Sequence, residues 1–305
     1  MPWPTFSAST RLLVVAPHPD DETLACGVLM QQVRDAGGTV HILQLTDGDN
    51  NPWPQRWLER RWWIGAQERL RWGRRRRAEV AQAVAKLGLP ASALQSLGWP
   101  DMGLTGQLVQ DPAGAMAVLG AAIDAFEPNL VALPALEDRH PDHGAAHVLC
   151  RLAFDARDLS PAGLAYPVHG QPLPGAVMLA TASSGQQQAK LDALREHVTQ
   201  MTLSGDRLLR LATRPEQFVP LETGASTPEA GPLPWCPPRW LQPFLRVLVA
   251  DAAGVTDHAW GDVVVAGDGG YRLSLARRAS GSRFAKLHLD WPSPWIFDVW
   301  GWCRV

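Results

Sequence analysis

Only two tyrosines and four scattered cysteines (Cys26, Cys150, Cys236, Cys303) occur in this chain of 305 residues, and no two cysteines form a CxxC pair. That spacing argues against a cysteine-based zinc site and against a disulfide scaffold. No apolar run is long enough to cross a bilayer. The segment Met1–Thr10 lacks a basic stretch followed by an apolar one, so no signal peptide is expected. Charge of either sign is also missing in bulk: 28 Lys and Arg against 30 Asp and Glu leave −2, which removes a global electrostatic case for nucleic acid. Neither G-x-G-x-x-G nor H-E-x-x-H appears, so a dinucleotide-dependent oxidoreductase and a zinc protease are both disfavoured. The expectation is a protein of the reducing cytosol.

Tryptophan, by contrast, is abundant at 14 residues. The stretch Arg56–Arg77 holds nine arginines against two glutamates, and Trp53, Trp57, Trp62, Trp63 and Trp72 are interleaved with them. Three readings fit residues 52–77: a solvated helix whose indoles pack on the domain, an interfacial element at a pocket mouth, or a sugar-stacking surface. The interfacial reading implies peripheral contact with the inner membrane surface and a lipid-linked or lipopolysaccharide-type substrate.

Strand-like runs near 11–16, 39–45, 93–98, 129–134 and 176–180 alternate with helical patterns near 22–36, 66–88, 113–126, 143–154 and 187–200. This alternation predicts an α/β, Rossmann-like, doubly wound and mainly parallel sheet of order 3-2-1-4-5. The stretch Pro215–Pro238 is rich in Pro, Gly, Thr and Glu and reads as a linker. Beyond it, β-like runs at Phe244–Ala250, Asp262–Ala266, Tyr271–Ala276, Lys286–Leu289 and Trp295–Val299 predict a small antiparallel appendage, with Gly-Asp-Gly-Gly at 267–270 as a turn. The expected organisation is 1–220, a linker at 221–238, and a β-rich extension at 239–305.

Two polar clusters each follow an apolar run: Ala16-Pro17-His18-Pro19-Asp20-Asp21-Glu22 after Leu12–Val15, and His140-Pro141-Asp142-His143 after Leu130–Leu133. In a doubly wound sheet, ligands bind beyond the carboxyl ends of the strands where the order reverses, here between the first and fourth strands. Both clusters leave those strands. A catalytic zinc commonly takes three protein N/O ligands and keeps a place for water, and His18, Asp21 and His143 supply such a set. Asp20 then points to the other side, positioned to accept a proton from water acidified by the ion. His140 is placed to stabilise an oxyanion and protonate a departing amine. Asp142 is a natural acceptor for fixing an imidazole. The loop bearing Asp47 and Asp49 should border the pocket, although both carboxylates also suit loop capping.

These motifs resemble the PIG-L/LmbE-like N-acetylglucosaminyl de-N-acetylases. Further matches are Leu45-Thr46-Asp47-Gly48, Arg76-Arg77-Ala78-Glu79 leading to Leu87-Gly88, Leu97-Gly98-Trp99-Pro100-Asp101, Tyr166-Pro167-Val168 and the helix Lys190–Gln200. Over roughly residues 10–220 the resemblance implies a Rossmann-like fold and metal-dependent deacetylation of an N-acetylglucosamine-type sugar. It implies His18, Asp21 and His143 as ligands of Zn2+ or another divalent ion such as Fe2+, and Asp20 as general base. It also implies His140 as oxyanion stabiliser oriented by Asp142. Arg76 and Asp101 then hold sugar hydroxyls, and Asp47 is a further substrate contact. Some relatives carry a tyrosine two residues before the first histidine of the second motif; Asp138 stands there, leaving that role unfilled or supplied elsewhere.

Other residues read more plainly. His147, four after His143, is expected on the exposed face of its helix; His41 and His169 are expected to be structural or solvated, and Cys26 a packing residue. A non-catalytic carbohydrate-binding protein keeping fold and metal needs neither Asp20 nor His140, so their presence favours a hydrolase.

Overall fold

The computed structural model describes residues 3–169, 177–221, 232–267, 270–276, 281–291 and 297–305. Five strands form the parallel part of the main sheet: β1 (Arg11–Ala16), β2 (Thr39–Thr46), β3 (Leu94–Trp99), β4 (Leu130–Pro134) and β5 (Ala162–Tyr166), in the order β3-β2-β1-β4-β5. Two antiparallel strands, β6 (Met178–Ala180) and β7 (Glu216–Pro220), extend the β5 edge in the order β5-β7-β6. The helices are α1 (Asp21–Asp35), α2 (Pro52–Glu59), α3 (Ala66–Lys86), α4 (Leu104–Gln110), α5 (Pro112–Phe126), α6 (Pro141–Asp155), α7 (Ser184–Glu196) and α8 (Val198–Ala212).

β1 is apolar throughout because helices cover both faces of the sheet. Side chains alternate across a strand. Leu12, Val14 and Ala16 therefore enter the core shared with α1 and α3, while Leu13 and Val15 enter the core built by α4, α5 and α6.

The expected strand order holds, but its fifth member is 162–166, not 176–180. Residues 178–180 form the antiparallel outer strand β6 instead. The helix expected over 187–200 is two helices, broken at His197, whose buried ring pairs with Glu22 and Thr23. Residues 216–220, inside the stretch read as a linker, are β7, and Phe218 is fully buried.

The C-terminal antiparallel sheet has the order β13-β12-β8-β9, from β8 (Leu245–Asp251), β9 (Gly254–Ala259), β12 (Phe284–Leu289) and β13 (Trp302–Arg304). β10 (Val264–Gly267) and β11 (Gly270–Leu273) form a separate hairpin. β9 and β13 were not foreseen. Residues 295–296 of the expected last run lie outside the described residues, and 297–299 are not strand. Leu248, Ala250, Phe284 and Trp302 of this sheet belong to the same core as Leu13 and α6. Thirteen of the fifteen α6 residues are buried as a result.

Helix α1 contains an inserted ion pair. Lys190 of α7 donates to the Leu24 carbonyl (2.8 Å) and to Glu216 of β7 (2.7 Å), while Glu216 accepts the Val28 and Leu29 N–H groups (2.7 and 3.0 Å). Side chains thus enter the hydrogen-bond ladder of the helix that opens at the first histidine turn.

Candidate active site

The turns after β1 and β4 converge at the carboxyl ends of adjacent strands. His18 and His143 have ring centroids 5.4 Å apart and are buried together with Asp21. One oxygen links them: Asp21 Oδ2 is 3.2 Å from His18 Nδ1 and 3.1 Å from His143 Nε2. A tetrahedral ion with bonds of about 2.0–2.1 Å has ligand atoms about 3.3 Å apart, close to these separations. Neither ring nitrogen of His143 has a properly directed hydrogen bond, although both are buried and each has a carboxylate oxygen 3.1 Å away. Imidazole nitrogens and carboxylate oxygens buried this close together are a donor set that suits a divalent cation. Three groups among the described residues could hold one: His18, His140 and His143; Asp21, His143 and His169; and His18, Asp101 and Asp142.

The electrostatics agree. Burial alone would depress the imidazole pKa values of His18 and His143. The carboxylates of Asp21, Asp101 and Asp142 nevertheless hold His18 well above its ordinary value, and Asp21 and Asp138 push His143 up to about 10. The cage therefore favours concentrated positive charge. His140 is different. Burial, then the charges on His18 and His143, press it down to about 2, so it is neutral. Its Nδ1 accepts the Asp142 N–H (3.3 Å), which leaves the proton on Nε2.

Asp20 stands apart from this cage. Its φ of 110° is in the left-handed region, a strained setting for a non-glycine residue. Desolvation raises its carboxyl to about 7, opposed by Arg76, whose Nη2 lies 3.8 Å away. Asp20, His18, Asp21 and His140 all line a cavity of about 560 Å³, together with Arg76, Asp101, Met102, His169, Trp53 and Phe297.

Several carboxylates do other work than expected. Asp142 Oδ2 faces His18 Nε2 (3.3 Å) and accepts the Met102 N–H, while Oδ1 accepts the Leu104 N–H. It therefore orients His18 rather than His140. Asp101 also faces His18 Nε2 (3.2 Å) and accepts the Asn50 N–H (2.9 Å). Arg76 lines the cavity, yet it donates to the Gly48 and Pro19 carbonyls (2.7 and 2.6 Å), and the Gln200 amide, turned so that its oxygen faces the guanidinium, accepts from its Nε and Nη2 at 3.2 Å. A Cβ on Gly48 would fall 1.8 Å from Arg76 Nη1, so this position, at φ +60°, must be glycine for the arginine to tie the two loops. Asp47 is not among the cavity-lining residues; it pairs with Arg77 (3.3 Å).

Sequence reasoning undervalued two residues. His169 lies with its ring 5.1 Å from His143 and 5.5 Å from His140, inside the cavity. Asp138 places Oδ2 3.1 Å from His143 Nδ1 and accepts the Val168 and His169 N–H groups, while Oδ1 accepts that of His140. It is the carboxylate that orients His143. His147 is buried, not exposed, and bonds the Pro134 carbonyl at 2.8 Å. Neither tyrosine lines the cavity; Tyr166 spends its hydroxyl on the Val15 carbonyl at the end of β1.

The Trp/Arg segment splits by burial. Trp72 is fully buried in α3, but Trp62 is 93 % and Trp63 83 % exposed, and Trp53 and Trp57 are exposed too. Trp53 reaches the cavity wall. No described helix is long and apolar enough to cross a membrane.

Comparison with known proteins gives consistent results. The chain is 32% identical over 165 residues to a 1D-myo-inositol 2-acetamido-2-deoxy-alpha-D-glucopyranoside deacetylase of Mycolicibacterium vanbaalenii, covering 48% of this chain and 55% of that enzyme. It is 28% identical over 236 residues to the enzyme of the same name from Mycobacteroides abscessus, covering 64% and 83% respectively. This chain thus spans little more than half the length of the first relative. Among solved structures, a conserved protein of Thermus thermophilus superposes with a TM-score of 0.53 at 27% identity, over 76% of this chain and 98% of that one. The family described as PIG-L, GlcNAc-PI de-N-acetylase, matches residues 13–154, the span that carries both histidine turns. Over those residues, somewhat under half of its length, the chain is similar to the PIG-L family.

Proposed function

We propose that this protein is a divalent-metal-dependent hydrolase that removes the acetyl group from an N-acetylglucosamine-type sugar conjugate. The observation that carries the reading is Asp21 Oδ2 standing 3.2 and 3.1 Å from His18 and His143, with Asp20 lining the same cavity on a strained backbone. His18, Asp21 and His143 would hold the ion, Zn2+ or another such as Fe2+; bound there, it would acidify water and polarise an amide carbonyl. Asp20 is the general base. Its raised pKa, near about 7, suits a group that takes a proton near neutrality and gives it up again. Neutral His140 presents its Nε2 proton to the oxyanion as charge develops. Asp142 fixes His18 and Asp138 fixes His143, each from behind the ring. Arg76 and Asp101 line the sugar side of the cavity and shape it through the loops they tie.

The names of the two mycobacterial relatives support a sugar amide as substrate. The exposed indole of Trp53 at the cavity, with those of Trp57, Trp62 and Trp63 exposed in the same segment, supports a conjugate with an apolar portion, lipid-linked or lipopolysaccharide-type. Peripheral contact with an anionic inner-membrane surface through 52–77 is a reading that liposome flotation tests; failure of the intact protein to float with anionic vesicles removes it.

The decisive assay is acetate release across a panel of N-acetylated sugar conjugates. His143→Ala should lose bound metal by elemental analysis, and full occupancy in that variant overturns the ligand set.

A further inference from the structure

The matched family span ends at residue 154, yet the cavity contains a residue from far beyond it. Phe297 has its ring centroid 6.1 Å from His140 and 5.6 Å from His169, the first in an edge-on arrangement. It is 40% exposed, and it lines the cavity in which those two histidines stand. Three contacts hold it there. The Asp298 N–H donates to the Arg139 carbonyl (2.9 Å), one residue before His140. The Asp298 carboxylate pairs with Lys286 of β12, whose ammonium lies 6.0 Å from the Trp302 ring centroid. Trp302 of β13 presses on α6 at Gly144, next to His143: a Cβ built there would stand 2.6 Å from Trp302 Cδ1. The glycine following the second motif histidine is what lets the C-terminal sheet come this close.

We infer that the C-terminal part of the chain, just before β13, supplies the wall that measures the acyl group, with Phe297 as the specificity-determining residue. This rests on the deacylase reading of the same site. The position selects the acyl end of the substrate rather than the distal conjugate, because the ring adjoins His140, the donor assigned to the developing oxyanion. An aromatic ring gives that wall apolar bulk on which a methyl packs and against which a longer chain would press. One methylene in an apolar pocket changes discrimination by roughly 10–200-fold.

The test compares N-acetyl- and N-butyryl-glucosamine. Phe297→Ala should raise KM for the acetyl substrate and shift the butyryl-to-acetyl ratio of kcat/KM upward by about 10-fold or more. Phe297→Leu should restore most of the preference. Gly144→Ala, which unseats Trp302 from another element, should shift the ratio the same way. A binding arm uses the Asp20→Asn background, where calorimetry reads the two sugars without turnover. If the wild-type protein frees no acid from any N-acyl amino sugar, the hydrolase reading falls, while the binding preference still decides the role of Phe297. An unchanged acyl preference in Phe297→Ala, or a protein that binds neither sugar, overturns the inference.

Discussion

The turns after β1 and β4 use the same ingredients, proline, histidine and adjacent carboxylates, in opposite ways. After β4 backbone N–H groups of the turn find side-chain acceptors. His140 caps α6 with its own ring, Pro141 takes the first helical position, and Asp138 gathers three backbone N–H groups. After β1 the helix begins without a side-chain cap, and Asp20 sits at φ 110° with its carboxylate desolvated. The first arrangement holds His140 and His143 on a hydrogen-bonded backbone. The second stores strain at the residue proposed to move protons, a common division within active sites.

That contrast can be broken experimentally. The largest effect should come from Asp20→Ala, which should lower kcat by about 10²–10⁴-fold while metal content stays unchanged. An active variant would make the strained turn merely structural. On the β4 side, Asp138→Ala should cost about 3–5 kcal/mol in urea denaturation, because it strands buried N–H groups and the His143 ring. Asp20→Gly should do the reverse, gaining about 1 kcal/mol as the left-handed backbone loses its penalty; a loss of stability would mean that Asp20 is not strained.

The smallest effect concerns pH. Burial opposes charge on His197, yet Glu22 of the first turn raises its pKa above the ordinary value. Stability from this pair is complete below the unfolded value of about 6.5 and is lost as pH rises through the higher folded value. Thermal melts should therefore fall more steeply above about pH 6.5 in the wild type than in His197→Gln. Parallel curves would remove Glu22–His197 as a support of the turn.

Much of this was legible in the chain. Uninterrupted apolar runs marked β1 and β4, and the polar residues directly after them marked the crevice between the strands. β5 was missed because Ala-Gly-Leu-Ala-Tyr is short and small; it becomes a strand through its register with β4. The break between α7 and α8 carries no Pro or Gly signal either, since a distant glutamate fixes it through His197. Metal-type ligands could be read because their chemistry restricts which residues serve. Their supports could not: whether Asp138 or Asp142 backs a given imidazole depends on which way each ring faces after the chain has folded. Phe297 was invisible for the same reason, being an ordinary aromatic until the C-terminal sheet lies on α6.

The Lys190–Glu216 pair has a practical consequence for anyone altering this protein. Because α1 is gripped at its midpoint by α7 and β7, its position rests on the body of the protein as well as on the loops that Arg76 ties at its leading end. Exposed positions at the cavity lip and beside it, such as Trp53 and Trp57, are therefore the ones to exchange. Recognition of new conjugates can be engineered there while the reactive groups keep their alignment.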